Sequence, residues 1–208
     1  MLQMKEVADG CFQQLYGEIV RSMLERYPWQ VEGADATTPT AEEEAAHREA
    51  VIVKLEAMGY DVGCRFAERA ARDRPRMLEP LDVIKFVCKD FWIAMFKKQI
   101  DKLQTNHRGV FVVQDFSFRW LAGISAATEH ETREMALLFL VFPCGMIRGA
   151  LANLGLTAIV NADVPDARTL PGCTFVERAG VRGALTDAVL CVADELWTGL
   201  FNIKIKQG

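Results

Sequence analysis

Apolar residues at helical spacing dominate the start of the chain. Between residues 3 and 27 they recur every four positions, which predicts one face of an amphipathic helix. Pro28 should end this helix, because the residue before a proline avoids the helical conformation. The apolar face comprises Val7, Cys11, Leu15, Ile19 and Met23.

A capping box predicts the start of a second helix. Thr40 precedes Glu43 by three residues, and the acidic first turn suits the positive end of a helix dipole. Gly59 is expected to end or kink this helix, and a short third helix over about residues 61–72 should follow. The apolar face of the second helix comprises Val51, Leu55 and Met58.

A fourth helix is predicted to begin near Pro80, a residue tolerated in a first helical turn. Lysines at positions 85, 89, 97, 98 and 102 lie mostly off its apolar face. They fit either a solvated surface or a patch for an acidic partner or anionic lipid headgroups. The apolar face comprises Leu81, Ile84, Val87, Cys88, Phe91 and Met95.

The apolar period then changes to alternation, which indicates strands. Residues 109–113 and 117–121 predict the two arms of a β-hairpin, and the apolar run 136–142 predicts a buried strand. Pro143 and Gly155 should bound a helix. Further strands are predicted at 157–164, 173–176 and 201–206, with a helical pattern over 181–196 before the last of them.

Helices followed mainly by strands indicate an α+β layer fold. The 208 residues fit one domain, and half of them are apolar, enough for a sizeable core. A net charge of −4, from 24 basic and 28 acidic residues, argues against a main role in binding nucleic-acid phosphates. The longest apolar run spans residues 135–147, shorter than the roughly 20 residues of a membrane span, and no signal-like core begins the chain.

No pattern of catalytic or ligand-binding chemistry stands out. Phosphate-binding loops, nucleophile elbows and zinc-protease motifs are absent from the sequence. The six cysteines form no Cys-x-x-Cys pair, and most are expected to be buried reduced thiols. His47, His107 and His130 are expected at the surface. We therefore expect no catalytic residues, no metal site and no cofactor.

The segment 142–155 has two features that ask for explanation. Gly145, Gly149 and Ala152 place small residues on one helix face, which lets another element approach closely. Arg148 lies among apolar residues and must reach water or pair with an acid. It could contact a neighbouring subunit or tie its own helix to another part of the domain.

Several motifs resemble the small core subunits of TRAPP, the transport protein particle. They are KFVCKDFWIAMFKKQIDKLQTNHRGVFVVQDFSFRWL (85–121), FPCGMIRGALANLGL (142–156), AMGYDVGCRFAER (57–69) and DRPR (73–76). Within that family the sequence is most similar to the subunit 6 group, above all its plant and algal members. The resemblance covers about residues 5–176 and resumes at 201–206.

The resemblance implies a single domain over residues 1–208, in which N-terminal helices pack on a small twisted antiparallel sheet. It implies a non-enzymatic structural subunit of a vesicle tether that pairs with TRAPP subunit 3 and joins other core subunits. Such a complex supports nucleotide exchange on a Rab GTPase in transport between the endoplasmic reticulum and the Golgi and at the Golgi. The chain would meet that GTPase only through the complex.

The same resemblance implies where the protein works and which residues matter. It would be cytoplasmic and peripheral on cis-Golgi, trans-Golgi and endoplasmic reticulum membranes. The family motif includes Gly145, Arg148 and Gly149. The expected subunit interface comprises Val7, Cys11, Leu15, Ile19, Met23, Val51 and Leu55.

Two departures from the family pattern affect these expectations. Subunit 3 paralogues carry an acylated cysteine between the third and fourth helices, whereas residues 67–80 contain none here. The alternative function, binding of an apolar ligand or acyl chain, therefore lacks its attachment point. The second departure is an expected insertion at 177–200 before the last strand. It is either a gene-model artefact, such as an in-frame retained intron, or a lineage-specific surface helix.

Overall fold

A computed structural model describes residues 9–25, 40–106, 109–165 and 167–179. The chain divides into two compact units, Met1–Val51 and Ile52–Gly208. The boundary between them falls inside a long helix.

The described part of the first unit is helical. Helix α1 spans Asp9–Glu25, and helix α2, Ala41–Ala71, begins in this unit and ends in the second. The predicted capping box is present, because the Thr40 amide donates to Glu43 Oε2 (2.9 Å) and the Glu43 amide donates to Thr40 Oγ1 (3.3 Å). This reciprocal pair satisfies amides that the first helical turn leaves without partners.

The expectation of a surface position is wrong for His47. The residue is buried on α2, and its Nε2 lies 2.9 Å from the Leu24 carbonyl oxygen near the end of α1. A ring nitrogen at this distance donates to a carbonyl that the helix end leaves unsatisfied. His130 is exposed, as expected, and His107 lies outside the described residues.

Helix α2 continues through Gly59, so the predicted break and the separate third helix are both wrong. A glycine inside a helix costs only about 1 kcal/mol relative to alanine, which tertiary packing overrides. The helix ends at Ala71, directly before the proline-containing segment RDRPR (72–76).

The predicted fourth helix begins at Pro80 and contains a π-helical turn. It consists of helix α3, Pro80–Phe86, the π-helical turn Val87–Phe91, and helix α4, Trp92–Phe96. A π turn holds more residues than an α turn and rotates the following side chains about the axis. Sequence periodicity therefore missed Trp92 and Phe96, which follow the turn and are buried. Leu81, which the periodicity included, precedes the turn and is exposed.

Four antiparallel strands form one sheet in the order β1-β2-β4-β3. Strand β4 is central, with Glu177 opposite Phe111 on one side and Val160 on the other. It continues three residues into the segment expected as an insertion, whose remainder, like the predicted strand 201–206, lies outside the described residues. The strands are β1, Lys102–Thr105; β2, Val110–Asp115; β3, Ala158–Asp163; and β4, Cys173–Ala179.

The predicted hairpin has one correct arm and one wrong one. Strand β2 pairs with the preceding β1, not with residues 117–121. The chain turns after β2 because the Asp115 carboxylate accepts a hydrogen bond from the Ser117 amide (2.9 Å), and a 3-10 turn, Arg119–Leu121, follows. Such local side-chain bonds compete with strand pairing.

Helix α5, Glu129–Asn153, corrects two further predictions. Residues 136–142 are helical, since a short apolar run does not separate a buried strand from a buried helix. Pro143 lies inside the helix and does not begin it. The helix instead begins with a capping box between Thr128 and Glu131, a signal that is present in the sequence.

Among the described residues, α5 is also the one helix long and apolar enough to cross a membrane by length and composition. However, 78% of its most apolar window is buried within the chain. This burial is typical of the core helix of a folded domain.

An aromatic cluster joins α4 to the sheet. The Trp92 ring lies 4.7 Å from that of Phe96 and 5.4 Å from that of Phe175, between ring centroids. Phe118, in the turn after β2, lies 4.8 Å from Phe96. Helices packed against a four-stranded antiparallel sheet confirm the predicted α+β class.

Candidate subunit interface

Helix α1 exposes part of the predicted apolar face. Leu15 is 59% exposed, and Cys11 and the neighbouring Phe12 are exposed as well. Ile19 and Met23 are partly buried. The side chains that α1 buries are Tyr16 and Val20, which lie on a different side of the helix from Leu15. An exposed row of large apolar side chains is typical of a surface that a partner covers.

The other expected interface residues lie elsewhere. Val51 and Leu55, on α2, are 1% and 0% exposed, so in this conformation they offer no surface to a partner. Val7 lies outside the described residues. The interface expectation therefore applies to Cys11, Leu15, Ile19 and Met23.

The second unit has its own exposed apolar side chains on α2. Val53, Met58 and Val62 are each exposed, although Met58 belongs to the predicted apolar face of this helix. Helical periodicity places Met58 and Val62, seven and eleven positions after Val51, on the same side of the helix as that buried residue. Their exposure is therefore decided by how α2 packs and not by the sequence pattern.

The family-motif glycines lie where α2 and α5 cross. A Cβ added to Gly145 would be 2.2 Å from the Glu56 carbonyl oxygen, and one added to Gly149 would be 2.1 Å from that of Tyr60. Gly59 and Gly63 stand in the same relation to the carbonyl oxygens of Phe142 and Met146, at 2.2 and 2.0 Å. Two Gly-x-x-x-Gly segments thus let the two backbones touch, as small residues do in closely packed helix pairs.

An ion pair lies at the same crossing. Arg148 Nε donates to Glu56 Oε1 at 2.5 Å, and the Arg148 guanidinium lies 4.7 Å above the Tyr60 ring centroid. Both charged side chains are largely buried. Burial raises the pKa of the Tyr60 hydroxyl and of the Cys64 thiol, which donates to the Gly149 carbonyl oxygen at 3.2 Å. The Tyr60 hydroxyl and the Cys64 thiol are therefore neutral at pH 7. The Arg148–Glu56 ion pair and the Cys64 hydrogen bond join α2 to α5.

A second polar network joins α4 to the sheet. Asp115 is completely buried and accepts hydrogen bonds from Trp92 Nε1 (3.0 Å) and Lys98 Nζ (2.7 Å). Lys98 also reaches Asp101 at 2.8 Å. Desolvation disfavours the Lys98 ammonium, but its two carboxylate partners outweigh that effect and raise its pKa. The Lys98 hydrogen bond, together with that of the Phe116 amide, lowers the pKa of Asp101.

Glu177 is a buried acid for which the described residues supply no partner. Neither carboxyl oxygen has a hydrogen-bond donor among them, and burial raises the pKa of this side chain to about 8. It lies on central strand β4, near the thiol of Cys88, whose pKa is raised by burial and then by this carboxyl. An acid here is costly to the fold, and we assign it no chemistry.

The described part of the chain contains neither a candidate metal-binding cluster nor a disulfide bond. It contains no cluster of three or more His, Cys, Asp or Glu side chains that could hold a metal ion. Its five cysteines are free thiols, and Cys88, Cys144 and Cys173 are buried.

Comparisons with known proteins agree with these features. A family model described as "Transport protein particle (TRAPP) component" matches residues 12–180. Trafficking protein particle complex subunit 6b of Danio rerio is 49% identical over 124 residues, which cover 60% of this chain and 76% of that protein. Human subunit 6A is 46% identical over 121 residues, covering 58% of this chain and 73% of that protein.

A solved structure shares the fold. It is the crystal structure of a trafficking protein particle complex subunit 3 from Naegleria fowleri, covalently bound to palmitic acid. The TM-score is 0.57 at 16% sequence identity, with 82% of this chain and 94% of that chain covered.

Proposed function

Because the chain belongs to the TRAPP component family, and within it to the subunit 6 group, we propose that it is a non-enzymatic structural subunit of the vesicle-tethering complex. It pairs with the subunit 3 paralogue and, through the assembled complex, supports nucleotide exchange on a Rab GTPase. The complex acts in vesicle transport between the endoplasmic reticulum and the Golgi and at the Golgi, peripherally on those membranes from the cytoplasm.

The exposed apolar row on α1 is the observation that carries this proposal. Among the described residues, Leu15, Phe12 and Cys11 present exposed apolar side chains on one helix. A stable heterodimer buries roughly 800 Å² on each partner, and a helix face of this kind supplies the apolar centre of such an area. The family model begins at residue 12, so the match includes this helix.

Co-purification tests the pairing. Leu15→Asp, alone and together with Ile19→Asp, should abolish capture of the subunit 3 paralogue, because a carboxylate at the interface centre would be buried without a partner. Gln14→Asp is the matched control: it adds the same charge at an exposed polar position of the same helix and should pair normally. Normal pairing of the double variant, with its helical content intact, would place the interface elsewhere.

A nucleotide-release assay tests the absence of catalysis. The chain alone should leave the release of labelled nucleotide from a Rab GTPase at its intrinsic rate. Exchange requires opening the phosphate and magnesium site of the GTPase, a task that this proposal gives to the assembled complex. Exchange by the isolated chain would contradict the structural-subunit proposal.

The alternative function, an apolar-ligand or acyl-chain module, stays a prediction from the resemblance. The palmitic acid belongs to the Naegleria fowleri protein, and no cysteine lies between residues 67 and 80 in this chain. The intact mass of the purified protein distinguishes the two functions, because a covalently bound acyl chain would add its own mass.

A further inference from the structure

An open cleft lies in the second unit, lined by residues of that unit alone. It has a volume of about 480 Å³ and lies between the connection from α2 to α3 and the C-terminal end of α5. Its apolar lining includes Met77, Leu78, Val83, Leu154 and Leu156. The volume is within the range of sites that hold a ligand or a few side chains of a partner.

The charged groups of this cleft are both arginines. Arg74 is already paired, since its Nη2 lies 2.5 Å from Asp90 Oδ1 and its guanidinium lies above the Phe86 ring. Arg76 is exposed, and no described residue gives it a hydrogen bond or an ion pair. No acidic side chain lines the cleft. The hydrogen-bond donors of Arg76 are thus available to a partner beside the apolar lining of the cleft.

Leu78 lines the cleft and is 79% exposed, more than any other large apolar side chain in the described residues. Leu81, on the first turn of α3, is exposed beside it in sequence. Exposed leucines next to an available guanidinium suit a partner that carries both an apolar side chain and a carboxylate. The guanidinium would pair with the carboxylate of such a segment, and the leucines would contact its apolar side chain.

We propose that this cleft, the Arg76–Leu78 cleft, is a second docking surface, which receives an acidic and apolar peptide segment of a neighbouring core subunit. The occupant has an Asp or Glu beside a large apolar residue. Its carboxylate pairs with Arg76 and its apolar side chain covers Leu78. The inference rests on the proposed function, because it requires a multisubunit assembly, but it concerns a surface separate from the α1 face.

Site-specific crosslinking identifies the occupant. The chain, with Leu78 replaced by p-benzoylphenylalanine, is reconstituted with its subunit 3 paralogue and the other core subunits, and then irradiated. Mass spectrometry should find the crosslink on a segment of another subunit that contains an acid next to a large apolar residue. A crosslink to lipid, to a segment without an acid, or to no protein would overturn the proposal.

Charge reversal tests the proposed ion pair between Arg76 and the acidic residue of the occupant. Arg76→Glu should weaken entry into the larger assembly about tenfold, because it places two carboxylates opposite each other. Arg72→Glu is the matched control, an equal charge change at an exposed arginine that does not line the cleft. Changing the crosslinked acid to Lys should restore assembly of the Arg76→Glu variant.

The failure of this proposal differs from the failure of the proposed function. If wild-type chain enters the complex and Arg76→Glu enters equally well, the Arg76–Leu78 cleft is not a docking surface. If wild-type chain neither pairs nor assembles, the structural-subunit function itself is wrong. Pairing with the subunit 3 paralogue should respond to Leu15→Asp and not to Arg76→Glu, which separates the two surfaces.

Discussion

Arg148 of α5 donates to Glu56 of α2 across 2.5 Å, at the point where the two backbones touch. The pair lies within one unit of the chain, so the arginine ties its own helix to another helix. The close approach of the glycines brings the arginine to this acid, and the cation lies above the Tyr60 ring. A family-motif residue thus has an internal structural role.

Arg148→Ala should lower the free energy of unfolding by about 2 kcal/mol or more, because it leaves the Glu56 carboxylate largely buried without its charged partner. Urea unfolding of the isolated chain measures the change. Glu56→Gln with Arg148→Ala completes a double-mutant cycle that isolates the pair. An unchanged midpoint together with lost complex assembly would instead indicate an interface role.

Gly63→Ala should cost more than an ordinary surface substitution. The added Cβ would lie 2.0 Å from the Met146 carbonyl oxygen, so α2 and α5 would have to separate. We expect a loss of about 2 kcal/mol or more, similar to other cases of overpacking. Gly17→Ala, within α1 and with open space around its Cβ, is the control and should stabilise by up to about 1 kcal/mol. Equal effects of the two variants would contradict the close crossing.

Glu177 should make the protein less stable as the pH rises. Burial raises its pKa from 4.5 to about 8, so between these values the folded state holds a proton that the unfolded chain has lost. Stability therefore falls with increasing pH across this window. Glu177→Gln should flatten this slope. Its effect on the free energy of unfolding should be about 4 kcal/mol more favourable at pH 8 than at pH 4. Urea unfolding at both pH values measures this difference, and Glu79→Gln, at an exposed acid, is the control. If the stability of wild type and Glu177→Gln changed equally with pH, Glu177 would be ionised in the folded state.

Lys98→Met should destabilise the chain by about 3 kcal/mol, because it leaves the completely buried Asp115 without its cation. Thermal unfolding compares it with Lys85→Met, which removes an exposed ion pair with Asp82 and should cost less than about 1 kcal/mol. Similar melting temperatures for the two variants would show that Trp92 and Ser117 suffice to hold the Asp115 carboxylate.

Acidic pH should weaken the same Lys98 network by protonating its second carboxylate, Asp101. The hydrogen bonds of Asp101 lower its pKa below 3.8, so its stabilisation is present above that value. It is lost as the pH falls through the lower folded-state pKa. Asp101→Asn should therefore reduce stability at pH 6 and have little effect at strongly acidic pH. A pH-independent loss would indicate that the carboxylate charge does not contribute.

Local signals in the sequence predicted the parts of the fold that depend on neighbouring residues. The capping box at Thr40, the start at Pro80 and the alternation of β3 are each decided within a few residues of chain, and each is confirmed. The motifs at 85–121 and 142–156 likewise sufficed for the family, which the family model confirms.

Long-range packing decided the rest. Gly59 reads as a breaker in the sequence, yet α5 covers it and α2 continues, because packing outweighs a propensity of about 1 kcal/mol. The apolar run 136–142 predicts a buried strand, yet these residues are helical, because a short apolar run does not separate a buried strand from a buried helix. The sequence by itself determined the capping box at Thr40, the α+β class and the apolar row on α1. Tertiary structure alone decided that two distant Gly-x-x-x-Gly segments meet and that Arg148 finds Glu56, because these contacts join residues about ninety positions apart.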